Sequence, residues 1–402
     1  MLMMKKIIRR TVLFFTIMIF SIFSIIIAAQ YVLPDSITAN NYSQINFLGL
    51  FTLDYENTEQ VDFQSSQRVS NAENEIKLFG VIPVKNVSVT FESEQKVYVS
   101  GESFGIKLYT DGVIVVGTKD VDGDKGYSNP AKEAGIEKGD IIVSVNDIKT
   151  NDSSTLEEIL NDNSAEPYKV RIKRNGNYKT FNLKPVYSKK DGCYKVGLWV
   201  RDSTAGIGTL TFYNPENNTI AALGHPITDV DTNEIMPILN GEAVKANVTK
   251  IYKSTNGETG SICCDFTNDV IATLTKNSIS GIYGVYHNEI DESRYYNVAN
   301  VQEIEKGDAY ILCTLDNNSP KLYEVQIVKI SYRDTQEKNM VIKVTDDELL
   351  EKTGGIVQGM SGSPVIQNGK LVGALTHVIV DNPTKGYAIF AQTMLNVSNT
   401  VD

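Results

Sequence analysis

One stretch near the amino terminus restricts the fold more than any other. Thr11–Ala29 contains no charged residue and consists mostly of Ile, Phe, Val and Leu. As a helix rising about 1.5 Å per residue, it spans roughly 28 Å, close to the thickness of a membrane's hydrocarbon core. The sequence therefore predicts a single transmembrane helix, within a cytoplasmic stub and signal anchor that cover residues 1–30.

The charges around this stretch predict its orientation. Two lysines and two arginines lie among the first ten residues, and no Lys or Arg follows between Gln30 and Arg68. The positive-inside rule then places residues 1–10 in the cytoplasm and the remainder outside. A cleavable signal peptide is the alternative, but its apolar core is usually shorter, and Ala28-Ala29-Gln30 is a poor cleavage site. An uncleaved anchor is favoured.

Residues 31–77 are rich in Asn, Ser, Gln, Thr and acidic residues, and their apolar patches, such as Ile45–Leu53, are brief. This composition predicts a flexible tether that a protease could cut.

From Leu78 the composition changes, and Val87, Val89 and Phe91 alternate with polar residues as in a strand. The run from Pro130 to Asn146, which reads PAKEAGIEKGDIIVSVN, resembles the PDZ domains of bacterial proteases. A helix over Thr155–Leu160 and a hairpin over Tyr168–Leu183 complete the pattern. We predict a PDZ-like α+β domain with preceding strands over residues 78–187.

Such domains bind an extended peptide as an added strand. The resemblance implies that a loop holding Ser103, Phe104, Gly105 and Ile106 binds the peptide's terminal carboxylate through its N–H groups. Alternatively, Gly105 is only a turn glycine. Whether an occupied groove would inhibit or activate stays open.

Residues 188–402 show short strand-like runs and no long amphipathic helix. The clearest runs are Tyr194–Val200, Gly206–Phe212, Asn218–Leu223, Val325–Tyr332 and Met340–Val344. Many short strands separated by turns predict a pair of β-barrels or a sandwich.

The segment Gly359–Pro364 reads GMSGSP, in which glycines frame Ser361 and let the backbone turn tightly. A serine presented in this way is a candidate nucleophile. Asn368-Gly369 follows between two apolar runs and predicts a hairpin with a type I′ turn. An ordinary Gly/Ser-rich turn is the alternative interpretation, and Ser363 is the second candidate because it lies in the same motif.

The chain has three histidines, His225, His287 and His377. His225 follows an apolar strand and a glycine, where a loop-borne base would be held by rigid elements. His287 lies in a predicted loop. His377 lies in the β-run after Asn368-Gly369, and we expect it to be a hydrogen-bonded core or cross-strand histidine.

A carboxylate that orients the imidazole would complete a catalytic triad. Asp346 ends a predicted strand shortly before Ser361, Asp347 is its neighbour, and Asp229 lies close to His225. Asp346 or Asp347 could instead be the N-cap of a short helix.

Composition excludes other function classes. The net charge of −11 and the pI of about 5.0 argue against nucleic-acid binding. None of the four cysteines has metal-ligand spacing, so no metal or cofactor is predicted.

Four segments together resemble the SpoIVB peptidase family: Gly224–Asp229, Thr345-Asp346, Gly354–Gln358 and Gly359–Pro364. The resemblance extends to the PDZ-like block and the membrane segment. It implies a trypsin-like double β-barrel serine endopeptidase domain over residues 188–402. Ser361 would be the nucleophile, His225 the general base and acid, and Asp346 the orienting carboxylate. The oxyanion would be bound by the N–H groups of Gly359 and Ser361. The chain order His–Asp–Ser is trypsin-like, whereas the spacing is not.

The resemblance also implies a role in sporulation. A protein of this family lies in the inner forespore membrane, with its catalytic domain in the intermembrane space. It cleaves itself before the PDZ-like block, which could release it, and then cleaves a membrane-bound inhibitor (SpoIVFA-like) of an intramembrane protease. That step activates a late sigma factor. The alternative is a non-catalytic, membrane-tethered PDZ scaffold that binds peptide tails.

Overall fold

The structure is a computed structural model. It describes residues 2–39, 45–47, 49–53, 68–91, 94–162, 164–316, 319–332 and 338–401.

The amino-terminal part is a long helix followed by a small sheet. Its elements are α1 (Leu2–Val32), β1 (Ser36–Ala39), β2 (Ile45–Phe47), β3 (Phe51–Leu53), β4 (Arg68–Leu78) and β5 (Ile82–Phe91), with the sheet in the order β1-β5-β4-β3-β2. Within α1, Lys6–Val32 is long and apolar enough to cross a membrane. The side chains of Ala29 and Leu33, at the end of the helix, pack on the sheet.

This sheet corrects the predicted tether over residues 31–77. In the described parts of that range, Phe51, Leu53 and Ile76 are buried in one core together with Leu78, which follows it. Phe51 and Leu53 are two residues apart on β3, and Ile76 and Leu78 are two residues apart on β4, so each pair lies on one face of its strand. Brief apolar patches are therefore enough to pair β3 with β4. Residues 40–44, 48 and 54–67 of the predicted tether lie outside the described residues. The predicted boundary at Leu78 is also wrong, because β4 ends there and pairs with β5.

The next region covers the predicted PDZ-like domain and short strands on either side of it. They are β6 (Lys96–Val99), β7 (Ser103–Thr118), β8 (Val121–Gly123), β9 (Gly126–Ser128), α2 (Pro130–Glu133), β10 (Ile141–Val145), β11 (Ile148–Lys149), α3 (Ser153–Leu160), β12 (Tyr168–Arg174), β13 (Asn177–Leu183), β14 (Val186–Ser188) and β15 (Cys193–Lys195). The predicted helix and the Tyr168–Leu183 hairpin are both present, and Asn175 and Gly176 have the positive φ values of its turn.

The carboxy-terminal region is built from twelve strands and two helices. These are β16 (Leu198–Asn214), β17 (Thr219–Ala222), β18 (Asn240–Tyr252), β19 (Ser261–Ser278), β20 (Gly281–Tyr286), β21 (Tyr295–Val298), β22 (Gly307–Cys313), β23 (Lys321–Ile330), β24 (Met340–Val344), α4 (Asp347–Thr353), β25 (Pro364–Gln367), β26 (Lys370–Val378), β27 (Lys385–Phe390) and α5 (Ala391–Ser398). Short 3₁₀ turns occupy Glu292–Arg294 and Val301–Glu303.

Strand pairing closes two barrels. In the first, β7 pairs with β16, and the ring continues through β17, β20, β19 and β18 back to β7. In the second, β22 is followed around the ring by β23, β24, β27, β26 and β25, which pairs again with β22. Each barrel has its own buried core, and a third cluster packs between them. The predicted pair of β-barrels is confirmed.

Candidate active site

The segment Gly359–Pro364 connects α4 to β25 as a tight loop. Gly359 and Gly362 have φ values of +99° and +96°, which favour glycine. A Cβ at Gly362 would lie 1.9 Å from the carbonyl oxygen of Thr209, so no larger residue fits there.

Two threonines of β16, in the first barrel, hold this loop of the second barrel. The hydroxyl of Thr209 donates to the Gly359 carbonyl at 2.8 Å, and its N–H donates to the Ser361 carbonyl at 2.8 Å. The hydroxyl of Thr211 donates to the Gly362 carbonyl at 2.7 Å. The position of Ser361 therefore depends on both barrels.

The two serines of the motif differ in accessibility. Ser363 is fully buried, and its hydroxyl donates to the Met360 carbonyl at 2.6 Å. Ser361 is half-buried, and its hydroxyl donates to the Thr376 carbonyl on β26 at 2.6 Å. Ser361 is therefore the serine that a substrate can reach.

His225 follows β17, where Leu223 and Gly224 both adopt positive φ and reverse the chain. Its Nδ1 lies 2.8 Å from the Pro226 carbonyl oxygen. Because a carbonyl only accepts, Nδ1 carries the hydrogen and Nε2 of the neutral ring is free to accept a proton. Burial lowers the pKa of His225, and the bond to the Pro226 carbonyl partly opposes that shift.

The structure brings the His225 and Ser361 segments to the same part of β26. A Cβ at Gly224 would lie 2.9 Å from Cγ2 of Thr376, the residue whose carbonyl binds the Ser361 hydroxyl. The His225 ring centroid lies 4.5 Å from that of His377. The base candidate and the nucleophile candidate thus both lie beside Thr376 and His377 of β26.

The backbone beside Ser361 is suited to bind an oxyanion. None of the backbone hydrogen bonds in the described part of the chain uses the N–H of Gly359 or of Ser361. Unpaired N–H groups on a nucleophile and on the residue two positions before it can stabilise the negative charge that develops on a carbonyl oxygen.

Asp346 lies at the start of α4. One oxygen of its carboxylate accepts from the N–H of Leu349 at 2.9 Å, and the other accepts from the N–H of Glu324 at 3.2 Å. It is therefore the N-cap of α4. Among the described residues no hydrogen bond joins Asp346 to His225, and the orienting role of Asp346 stays a prediction.

The alternative carboxylates also have other partners. Asp347 is the first residue of α4. Asp229 is buried and lies 2.8 Å from Arg201. Although burial raises the pKa of Asp229, hydrogen bonds from the N–H groups of Thr232 and Asp231 and from Arg201 lower it on balance.

The predicted carboxylate-binding loop at Ser103, Phe104, Gly105 and Ile106 is wrong. These residues begin β7, inside the first barrel, with β16 paired on one side and β18 on the other. Phe104, Ile106 and Leu108 alternate toward the core, and this period of two, which the sequence shows, makes the segment a strand. No edge is left there for a peptide.

A groove of about 640 Å³ lies elsewhere in the PDZ region, between α3 and the start of β16. Leu156 and Leu160 of α3 face Leu198 and Val200 of β16 across it. At one end Gly197 has a φ of +67°, and in the described residues no backbone hydrogen bond uses its N–H. Lysines and acidic residues share that end: Lys119, Asp120, Asp122, Lys190, Asp191 and Lys195.

A cavity of about 720 Å³ lies beside β22, β23 and α4 and includes neither Ser361 nor His225. Its charged residues are mostly paired with one another, as in the ion pairs of Glu348 with Lys321 and Lys352.

Two family models match the chain. The PDZ domain model matches residues 103–184, and the model of the SpoIVB peptidase S55 matches residues 192–395, just over half of the chain. The chain belongs to the SpoIVB peptidase S55 family. Its carboxy-terminal region is a serine peptidase domain of this family, preceded by a PDZ domain and by a helix compatible with a single-pass membrane anchor.

Other similarities are local. A protein of Clostridium acetobutylicum, named as a candidate zinc metalloprotease, is 33% identical over 98 residues, which are 24% of this chain and 26% of that protein. The chain thus spans about a quarter of this relative's length. In the described residues, no group of three or more His, Cys, Asp or Glu side chains is placed to hold a metal ion.

Two crystal structures of the Rv3671c protease also align. An inactive serine-to-alanine mutant from Mycobacterium tuberculosis H37Rv is 13% identical with a TM-score of 0.26, over 49% of this chain and 83% of that one. A second inactive form is 14% identical with a TM-score of 0.25, over 48% and 84%. With TM-scores this low, no shared fold follows.

Sequence reasoning missed the residues that hold the nucleophile loop. Thr209 and Thr211 lie in the run Gly208–Phe212, where polar residues alternate with Leu210 and Phe212 inside a buried strand. Two threonines on one face of a buried strand need hydrogen-bond partners. This need could have indicated that the strand binds another segment of backbone.

Proposed function

We propose that this chain is a membrane-anchored serine endopeptidase with Ser361 as nucleophile and His225 as general base and acid. The observation that supports the proposal is that Ser361 contacts Thr376 and His225 contacts the adjacent His377 on β26, while the other barrel holds the Ser361 loop. An exposed scaffold loop would not need bonds from both barrels.

The reaction follows from these groups. As the Ser361 oxygen attacks a peptide carbonyl, its proton passes to Nε2 of His225 and the carbonyl π electrons move to the oxygen. The N–H groups of Gly359 and Ser361 stabilise that oxyanion. His225 then gives its proton to the departing amine as the C–N bond breaks, and water releases the acyl group by the same steps in reverse.

Asp346 is retained as the proposed orienting carboxylate, and Asp346→Asn tests it. Asparagine keeps the N-cap of α4 but removes the charge. Loss of activity at an unchanged melting temperature would support the orienting role. Unchanged activity would leave the Pro226 carbonyl as the group that orients His225.

The proposed substrates are proteins at the membrane. The chain cleaves itself between its anchor and its PDZ domain, within residues 31–77, and then cleaves a membrane-bound inhibitor of an intramembrane protease (SpoIVFA-like), which leads to late sigma-factor activation. Its proposed location is the inner forespore membrane, with residues 1–10 in the cytoplasm, the catalytic domain in the intermembrane space and possible release by self-cleavage. Family membership and the amino-terminal helix support this role.

We also propose that the groove between α3 and β16 binds an extended peptide that ends in an apolar residue. The unpaired N–H of Gly197 suits the carboxylate, and the leucines suit the side chain. Leu156→Arg should abolish binding of a fluorescent peptide of this type, and amidation of the peptide's carboxyl group should weaken binding. Equal binding of both peptides would contradict the proposal.

Self-processing tests the function. We expect the full chain, in detergent micelles, to convert to a fragment that begins within residues 31–77. Ser361→Ala and His225→Ala should each abolish conversion, since residues of a triad act as a unit, whereas His287→Ala should not. If Ser361→Ala processes normally, the chain is instead a tethered peptide-binding scaffold.

A further inference from the structure

A second histidine lies in the candidate active site. His377 is on β26, directly after Thr376, whose carbonyl binds the Ser361 hydroxyl at 2.6 Å. Its ring centroid is 4.5 Å from that of His225, with the planes inclined by 38°. The ring therefore lies against the proposed base, on the strand that holds the nucleophile.

Hydrogen bonding does not explain why His377 is there. Its Nδ1 is buried and has no partner among the described residues. A buried polar atom without a partner is unfavourable, and such atoms are often found at functional sites. His377 lies on a strand, as expected, but the expectation that its ring is fully hydrogen-bonded is wrong. The ring instead contacts His225.

We propose that His377 is a positioning residue for His225. Its ring packs against the imidazole, restricts its movement and shields it from water, so that Nε2 stays directed at the nucleophile. This inference rests on the proposed function, because it assigns His377 a part in the reaction of Ser361 and His225.

The charged groups around His377 suit this role. Besides His225, Lys338 lies near it, and Lys338 also packs on the ring of Tyr387. Burial, together with these two neighbours, lowers the pKa of His377 to about 4. His377 is thus neutral at ordinary pH and does not repel the imidazolium that His225 becomes when it takes the Ser361 proton.

An alkyl fluorophosphonate tests the inference without a known substrate. The Ser361 oxygen would form a bond to phosphorus, fluoride would leave, and the hydroxyl proton would pass to His225. We would measure the limiting rate of labelling and the reagent concentration at half the limiting rate, between pH 4.5 and 8. The proteins are the full wild-type chain in detergent micelles, His377→Ala, His377→Phe, and His287→Ala as an exposed-histidine control.

We expect His377→Ala to lower the limiting rate roughly 10- to 100-fold, the loss typical of a misplaced catalytic group, at an unchanged half-saturating concentration. The acid limb of the pH–rate profile of His377→Ala should move to higher pH, because water reaches His225 and raises the pKa of that ring toward its ordinary value. His377→Phe keeps a packed ring and should restore the rate to within about threefold of wild type. His287→Ala should match wild type.

Three results would overturn the inference. The first is a wild-type rate and acid limb in His377→Ala. The second is His377→Phe reacting as slowly as His377→Ala, which would make a ring nitrogen the active group. The third is a loss confined to the fraction of protein labelled, which would indicate a role in folding alone. Wild-type labelling that persists in Ser361→Ala would instead refute the proposed function.

Discussion

Replacing Thr209 by valine would test how the first barrel controls the nucleophile loop. The substitution keeps the shape of the side chain but removes the hydroxyl that donates to the Gly359 carbonyl at 2.8 Å. The N–H of residue 209 would still donate to the Ser361 carbonyl. Thr209 is 1% exposed, so water does not easily replace the missing donor.

The expected loss of stability follows from that burial. A buried carbonyl left without its donor costs about 1–3 kcal/mol. In a domain of this size, 1 kcal/mol lowers the melting temperature by roughly 2–4 °C. We therefore expect a decrease of about 2–12 °C.

The expected loss of activity follows from what the lost bond holds. Once its carbonyl is released, the peptide unit that begins at Gly359 can rotate and disturb the loop that carries the Gly359 and Ser361 N–H groups. Full loss of one oxyanion donor lowers kcat roughly 10²- to 10³-fold. A displaced donor should cost less, and we expect about a 10- to 100-fold slower limiting rate of fluorophosphonate labelling.

Thr150→Val is the matched control. Thr150 is 0% exposed, and its hydroxyl donates to the Ile142 carbonyl at 3.2 Å, in the PDZ domain. It should lower stability by a similar amount and leave the labelling rate within about twofold of wild type. Equal rate losses in both variants would mean that only stability matters. A wild-type rate in Thr209→Val would refute the idea that Thr209 aligns the nucleophile loop.

Three further predictions concern other parts of the chain. Gly362→Ala should abolish labelling, because its Cβ would lie 1.9 Å from the Thr209 carbonyl oxygen; a labelling rate near that of wild type would contradict the loop geometry. Because burial lowers the pKa of His225, activity should persist below pH 6.5 and fall only as pH drops through that lowered value; a midpoint above 6.5 in the labelling profile would contradict this. The pKa of His377 in the folded chain, about 4, lies below its ordinary value of about 6.5, so the unfolded chain binds more protons between these two pH values. The stability of the fold should therefore fall as pH drops from 6.5 to 4. In thermal melts, His377→Phe should lose less stability than wild type over this range, and an equal loss would contradict the prediction.

Much of this architecture could be predicted from local patterns. Asn368-Gly369 and Asn175-Gly176 both form the predicted hairpin turns, because positive φ at two successive residues has few other solutions. Glycines around Ser361 indicated a tight loop for the same reason. These signals depend only on neighbours in the sequence.

Features that depend on distant partners could not be predicted in this way. Strand β7 begins in the first barrel and ends in the PDZ domain, so a motif-based boundary misplaced Ser103–Ile106. The contact of His377 with His225 joins residues far apart in the sequence, and nothing local to either one indicates it. The sheet of strands β1 to β5 forms because short apolar patches combine in one core with the end of α1.

The central claim is that the Ser361 hydroxyl is activated by His225. The most direct measurement is mass-spectrometric mapping of the fluorophosphonate adduct on the full chain at pH 7.5, alongside His225→Ala and His287→Ala. The account predicts one adduct, on the peptide that contains Ser361, present in wild type and His287→Ala and absent from His225→Ala. An adduct on any other residue, or undiminished labelling of Ser361 in His225→Ala, would contradict it.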